Sequence, residues 1–129
     1  MSAKPARPAQ QKPNDALKDH LSRSREITIS VTGRKSGRTI SIPVWFVVEA
    51  GKLYLLPVNG SDTQWYKNVL TNPSIRIKAG GAEAERKVVP ITDPKKVASV
   101  VEKFRAKYGA GDVKKYYSKL DVAVLADLQ

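Results

Sequence analysis

The side chains with chemistry to offer lie in two places. The first is GRKSGR, Gly33 to Arg38. Its two glycines free the backbone to turn N–H groups toward an anion, while Arg34, Lys35 and Arg38 add charge and Ser36 a hydroxyl. Gly33 and Gly37 lie between two expected strands, so the segment is neither a P-loop nor a dinucleotide fingerprint; alone, it also reads as an ordinary solvated turn. The second place pairs Pro43, Val44 and Trp45 with NGSDTQWYKN, Asn59 to Asn68. There a polar loop (Asn59, Gly60, Ser61) runs into a helix N-terminus carrying Trp65, Tyr66 and Asn68. Such a terminus offers free amides to a phosphate or to the polar edge of a ring. The competing reading makes Trp65 a core anchor and leaves Asn68 facing solvent.

What the chain lacks narrows the chemistry further. With no cysteine and one histidine, His20, it can build neither a thiol dyad nor a histidine-rich metal site, so no metal is expected. None of Glu26, Glu49, Asp62, Glu83 or Glu85 sits in a segment that suggests a buried acid/base pair. The catalytic residues stay unassigned, and no protein nucleophile is expected; any reaction would have to lie in a bound cofactor. The absence of cysteine fits a reducing cytoplasm, and no stretch is apolar for the roughly 20 residues a membrane span needs. A net charge of +11 over 129 residues favours anionic partners of any kind.

The elements that must position these residues follow from periodicity. Residues 1–13 hold three prolines and almost nothing apolar and read as a flexible basic arm, leaving one domain over 14–129. Asn14 is expected to cap a short helix to about Arg23. Ile27, Ile29 and Val31 alternate with Thr28, Ser30 and Thr32, a half-buried strand. After the hairpin, Thr39 to Glu49 reads as one long strand in which Pro43 marks an edge or bulge. Lys52–Pro57, Ser74–Lys78, about Ala82–Ile91 and Leu120–Leu128 supply the remaining strands, six in all. Ser61 or Asp62 should cap the helix that Asn72-Pro73 stops. The clearest helix follows a cap at Thr92 or Asp93, with Pro94 in its first turn, Gly109 past its end and Val97, Val100, Val101, Phe104 and Tyr108 along one stripe. A shorter helix is expected from about Asp112 to Ser118.

VTGRKSGR, IPVWF, KLYLLP with its NG loop, and WYKNVLTNPSIRI occur in this order over residues 26–91. Together they resemble the deazaflavin-dependent nitroreductases, split-barrel flavin and deazaflavin oxidoreductases related to pyridoxamine phosphate oxidase. The resemblance implies an α+β, mainly-β fold, a six-stranded split barrel with flanking helices, holding coenzyme F-420, with FMN as the close alternative. It implies that Arg34, Lys35, Ser36, Gly37 and Arg38 contact the phosphate tail and that Pro43, Val44 and Trp45 line the ring. Asn59, Gly60, Ser61, Trp65, Tyr66 and Asn68 would complete the pocket, and Trp45, Tyr116 and Tyr117 would face the substrate. Reduced cofactor would then deliver hydride to an electron-poor small molecule, in a cytoplasmic homodimer. The chain departs from the family where members commonly carry serine and lysine and it has Val58 and Asn59. Two other readings stay open: a carrier that binds cofactor without turnover, and a nucleic-acid module using Lys95, Lys96, Lys103, Lys107, Lys114 and Lys115. The interleaved exposed aromatics of single-strand binders are missing, so no nucleic acid is expected.

Overall fold

A computed structural model describes residues 13–128. The arm expected over 1–13 therefore lies, but for Pro13, outside the described residues. Helix α1 (Pro13–Ser22) begins at that proline rather than after a cap at Asn14. The strands are β1 (Ile27–Thr32), β2 (Thr39–Val44), β3 (Val47–Glu49), β4 (Lys52–Leu55), β5 (Ser74–Ala79), β6 (Ala82–Ile91) and β7 (Ala123–Asp127). Helices α2 (Gln64–Thr71), α3 (Pro94–Tyr108) and α4 (Ala110–Tyr116) are inserted among them.

The seven strands form one antiparallel sheet in the order β2-β1-β5-β6-β7-β4-β3, a curled half-barrel. The expected count of six fails at one place. The stretch Thr39–Glu49 breaks at Trp45-Phe46, so β2 pairs with β1 at one edge and β3 with β4 at the other. The cause is a side chain 62 residues downstream: the Tyr108 hydroxyl accepts from the Phe46 amide at 3.1 Å. It also lies 2.9 Å from the Phe46 carbonyl and 2.7 Å from the Arg25 carbonyl, to which it donates. A backbone whose polar groups are satisfied by a tyrosine has none left for a ladder. β6 joins the halves in the opposite way: Ala82 to Lys87 pair with β5, and Val88 to Ile91 with β7. Pro43 sits, as its missing N–H requires, on an edge strand opposite Thr28.

Two apolar clusters hold the fold. The first fills the concave side: Ile27, Ile29, Leu53, Leu55, Ile75, Ile77 and Val124 face one another, and Leu17 and Leu21 of α1 plug the end. The second lies between the sheet and α3 and α4, with Val97, Val100, Val101, Phe104 and Tyr108 packed on Val47, Leu56 and Ala123. Each such side chain contributes roughly 1.5–3 kcal/mol on burial. Asp93 caps α3 through the Lys95 amide at 3.0 Å, and Pro94 opens its first turn.

Candidate functional site

A cavity of about 480 Å³ opens at the seam between the two clusters. Ile42, Pro43, Val44 and Trp45 come from β2 and the break after it, and Leu56, Val58 and Thr63 from the segment leading to α2. Trp65 comes from α2, Tyr116 and Tyr117 from the end of α4, and Glu26 from the residue before β1. Both tryptophans of the chain are therefore in its wall. This volume and this mostly apolar, aromatic lining fall within the range of small-molecule and cofactor sites.

Trp45 is held on three sides. Its ring stacks on Tyr108 with centroids 4.2 Å apart and planes 6° from parallel, Tyr116 meets it edge-on at 5.5 Å, and Tyr117 lies at 6.1 Å. The Tyr108 hydroxyl that breaks the strand thus also fixes the indole, since Trp45 is the residue immediately before Phe46. Lys107 reinforces the same point, donating to the Phe46 carbonyl at 2.9 Å with its ammonium 3.5 Å over the Phe46 ring. Burial, then the nearby Arg25 charge, lowers the Lys107 pKa to about 8. Burial pushes the Tyr117 phenol well above its ordinary value.

The basic hairpin is built as its glycines permit. The Gly33 amide donates to the Arg38 carbonyl at 2.8 Å, the Gly37 amide to the Gly33 carbonyl at 2.9 Å, and Gly37 takes φ 72°. Ser36 Oγ accepts from the Arg38 amide at 3.1 Å. The Asn68 side-chain oxygen accepts from the Arg34 amide at 3.1 Å and from Arg34 Nη1 at 2.8 Å, while Arg34 Nη2 donates to Gln64 at 2.9 Å. Asn68, only 4% exposed, is thus no solvent-facing residue but the tether of the hairpin to α2. Gln64 precedes Trp65, so the hairpin's root adjoins the cavity wall. Among the described residues no carboxylate lies within ion-pair reach of Arg34, Lys35 or Arg38.

The structure therefore gathers Pro43, Val44, Trp45, Trp65, Tyr116 and Tyr117 around one cavity and places Arg34, Lys35, Ser36, Gly37 and Arg38 in the hairpin beside it. Asn59, Gly60, Ser61, Tyr66 and Asn68 stand outside the wall. Tyr66 is 3% exposed in the first cluster, and burial, then the Asp121 charge, raises its pKa. The polar loop is occupied internally: Asp121 accepts from the Ser61 amide at 3.0 Å and from Ser61 Oγ at 2.6 Å, in the way an external anion would. The Ser61 hydroxyl bond is the largest of the influences that hold the Asp121 carboxyl below its usual pKa. Asn59 donates its amide to Thr63 Oγ1 at 2.8 Å and receives the Ser118 hydroxyl at 2.6 Å. With Ser61 so engaged, the N-cap position of α2 falls on Thr63 rather than on Ser61 or Asp62. Glu26, Ile42, Leu56, Val58 and Thr63 are lining residues absent from the expected site; Glu26, the one charged residue among them, is brought there because the strand it precedes pairs its first residue with Val44.

Solved structures share the architecture. One described as a domain-swapped dimer is 18% identical, with 90% of this chain and 100% of that chain covered and a TM-score of 0.64. An F420-H2 dependent reductase is 20% identical over 80% of this chain and 94% of its own, with a TM-score of 0.63. HutZ, the heme storage protein from Vibrio cholerae, is 11% identical over 91% and 89%, with a TM-score of 0.67. At these identities the likeness is one of fold alone. No curated protein sequence matches the chain. The model that does match spans residues 18–123, most of the chain, and by it the protein belongs to the family described as uncharacterized protein conserved in bacteria, DUF2255.

Proposed function

We propose that the chain is a split-barrel oxidoreductase that holds reduced coenzyme F-420, with FMN as the alternative occupant, and passes hydride to an electron-poor small molecule. The observation that carries this reading is the joining of an aromatic cavity to an uncompensated basic hairpin through Arg34, Gln64 and Trp65. When bound, a deazaflavin or flavin supplies the hydride. The residues of the chain do the positioning. Trp45, pinned by Tyr108, offers a flat apolar wall to a planar ring and keeps water from it, while Trp65, 5% exposed and packed in the first cluster as a core anchor, backs the wall. Lys35 and Arg38, exposed and without acidic partners, attract a phosphate-bearing tail, whereas Arg34 is largely committed to holding the hairpin. β2 leads from the hairpin to the cavity wall, which begins at Ile42, about 10 Å along the strand from Thr39, so a ring in the cavity can carry its anionic tail toward the hairpin.

Haem, which the likeness to a heme storage protein raises, fits these residues poorly. Among the described residues the wall carries no histidine, cysteine or methionine, and the one histidine, His20, packs against Gly80 and lines a different cavity.

Replacing Lys35 and Arg38 together by alanine tests the reading. Affinity for coenzyme F-420 or FMN should fall about tenfold, at roughly 1 kcal/mol or less for each exposed contact, and its dependence on salt should flatten. Unchanged affinity and slope would remove the hairpin from the site. A homodimer belongs to the same proposal, and a sedimentation mass equal to one chain would strike it out.

A further inference from the structure

Of the eleven described residues that line the cavity, one is charged, Glu26. Its carboxylate is exposed and, among the described residues, has no ion-pair or hydrogen-bond partner, although the chain carries 23 lysines and arginines. Two basic groups at Tyr108 are turned to other work: the Arg25 guanidinium lies 5.1 Å over the Tyr108 ring, and Lys107 donates to the Phe46 carbonyl. The rest of the wall holds four aromatic rings, Trp45, Trp65, Tyr116 and Tyr117. Aromatic faces attract cations through their quadrupoles, and a carboxylate at the same mouth adds a full charge. The net charge of +11 sets a long-range field of the opposite sign. That field is screened within about 8–10 Å at physiological salt, so the group in contact decides.

We propose that this cavity selects planar organic cations, with Glu26 as the residue that sets the preference by facing the ligand's positive charge. The proposal rests on the reading of the cavity as the ligand pocket and adds the class of its small-molecule partner. That partner is a flat heteroaromatic bearing a pyridinium- or ammonium-type charge, distinct from the anion expected at the hairpin. The ligand would pack its ring against Tyr116, on the substrate side of Trp45, and leave its charge at the rim beside Glu26. A charge pair at such a half-exposed position, at an effective dielectric between that of water and about 20, is worth about tenfold in affinity.

The test uses the full chain and a matched pair of probes, N-methylquinolinium and its neutral isostere 1-methylnaphthalene. Binding is read from the fluorescence of the tryptophans, both of which line the cavity. The expected result is a preference for the cation of about tenfold, which Glu26→Gln abolishes while leaving the affinity for the neutral probe unchanged. Because the carboxylate is exposed and unpartnered, this variant should fold with the parent's melting temperature. Equal affinity for the two probes would overturn the proposal, and so would a preference that survives in Glu26→Gln, which would assign it to the rings alone. If neither probe binds but coenzyme F-420 or FMN does, this inference fails and the pocket reading stands; if nothing binds, both fail.

Discussion

Removing the Asn68 side chain should loosen the basic hairpin from the body of the protein. Asn68→Ala deletes the acceptor for two donors, the Arg34 amide at 3.1 Å and Arg34 Nη1 at 2.8 Å, at a position 4% exposed. The backbone bond is worth about 1 kcal/mol and the charged one about 1.5–3 kcal/mol. The guanidinium keeps Gln64 and is only half-buried, so the lower end of that second range applies. The sum is about 2–3 kcal/mol, and the small void left by the amide adds a few tenths. For a chain of this size each kcal/mol lowers Tm by roughly 3–5 °C, so a fall of about 10 °C is expected. Asn68→Asp is the control: a carboxylate accepts from both donors and adds attraction for Arg34, so its melting temperature should stay within about 3 °C of the parent above pH 6. The assay is thermal unfolding followed by circular dichroism, with urea unfolding to check that the m-value is unchanged. An alanine variant within 0.5 kcal/mol of the parent, a shift typical of surface changes, would refute the tether, and so would an aspartate variant as damaged as the alanine one.

Tyr108→Phe leaves the buried Phe46 amide and the Arg25 carbonyl without the tyrosine hydroxyl, and should cost about 2–3 kcal/mol in urea unfolding while weakening ligand binding through a freed Trp45. Gly60 and Gly37 both take positive φ, 56° and 72°, but a Cβ at Gly60 would strike the Asp121 carboxylate and one at Gly37 would meet open space. Gly37→Ala should therefore cost about 1 kcal/mol and Gly60→Ala clearly more, with equal losses contradicting the Asp121 latch. Lys107 has a folded pKa of about 8 against an ordinary 10.5, so between those pH values the unfolded state binds the additional proton and stability rises with pH. Because the group is only partly buried, the rise should be about 1 kcal/mol, and in Lys107→Met it should be absent from pH-dependent unfolding curves.

Local signals in the sequence carried the elements whose residues answer to their own neighbours. The alternation of Ile27, Ile29 and Val31 and the stripe from Val97 to Tyr108 each name a buried face, and Asp93-Pro94 and Gly109 bracket α3. Pro43 marked an edge because its missing donor is a property of the residue itself. The features that escaped all depend on partners far along the chain. Nothing in WF shows that a tyrosine 62 residues later will take the Phe46 backbone and divide one strand into two. Asn68 is polar and looks solvated until Arg34, 34 residues earlier, is found bonded to it. Ser61 offers an amide and a hydroxyl to an anion until Asp121 is found to hold both. Six of the expected site residues gather at the cavity because β2, its break and the two helices that flank it converge there, which no spacing in the sequence records.

The central claim is that the cavity and the basic hairpin together hold an anionic ring cofactor. It is tested most directly by titrating the purified protein with coenzyme F-420 and, in parallel, with FMN, followed by tryptophan fluorescence and thermal shift. The account predicts saturable binding of one of them, with quenching that is lost in Trp45→Ala and affinity that falls as salt rises. Binding of neither, alongside salt-dependent binding to plain DNA or RNA, would contradict it.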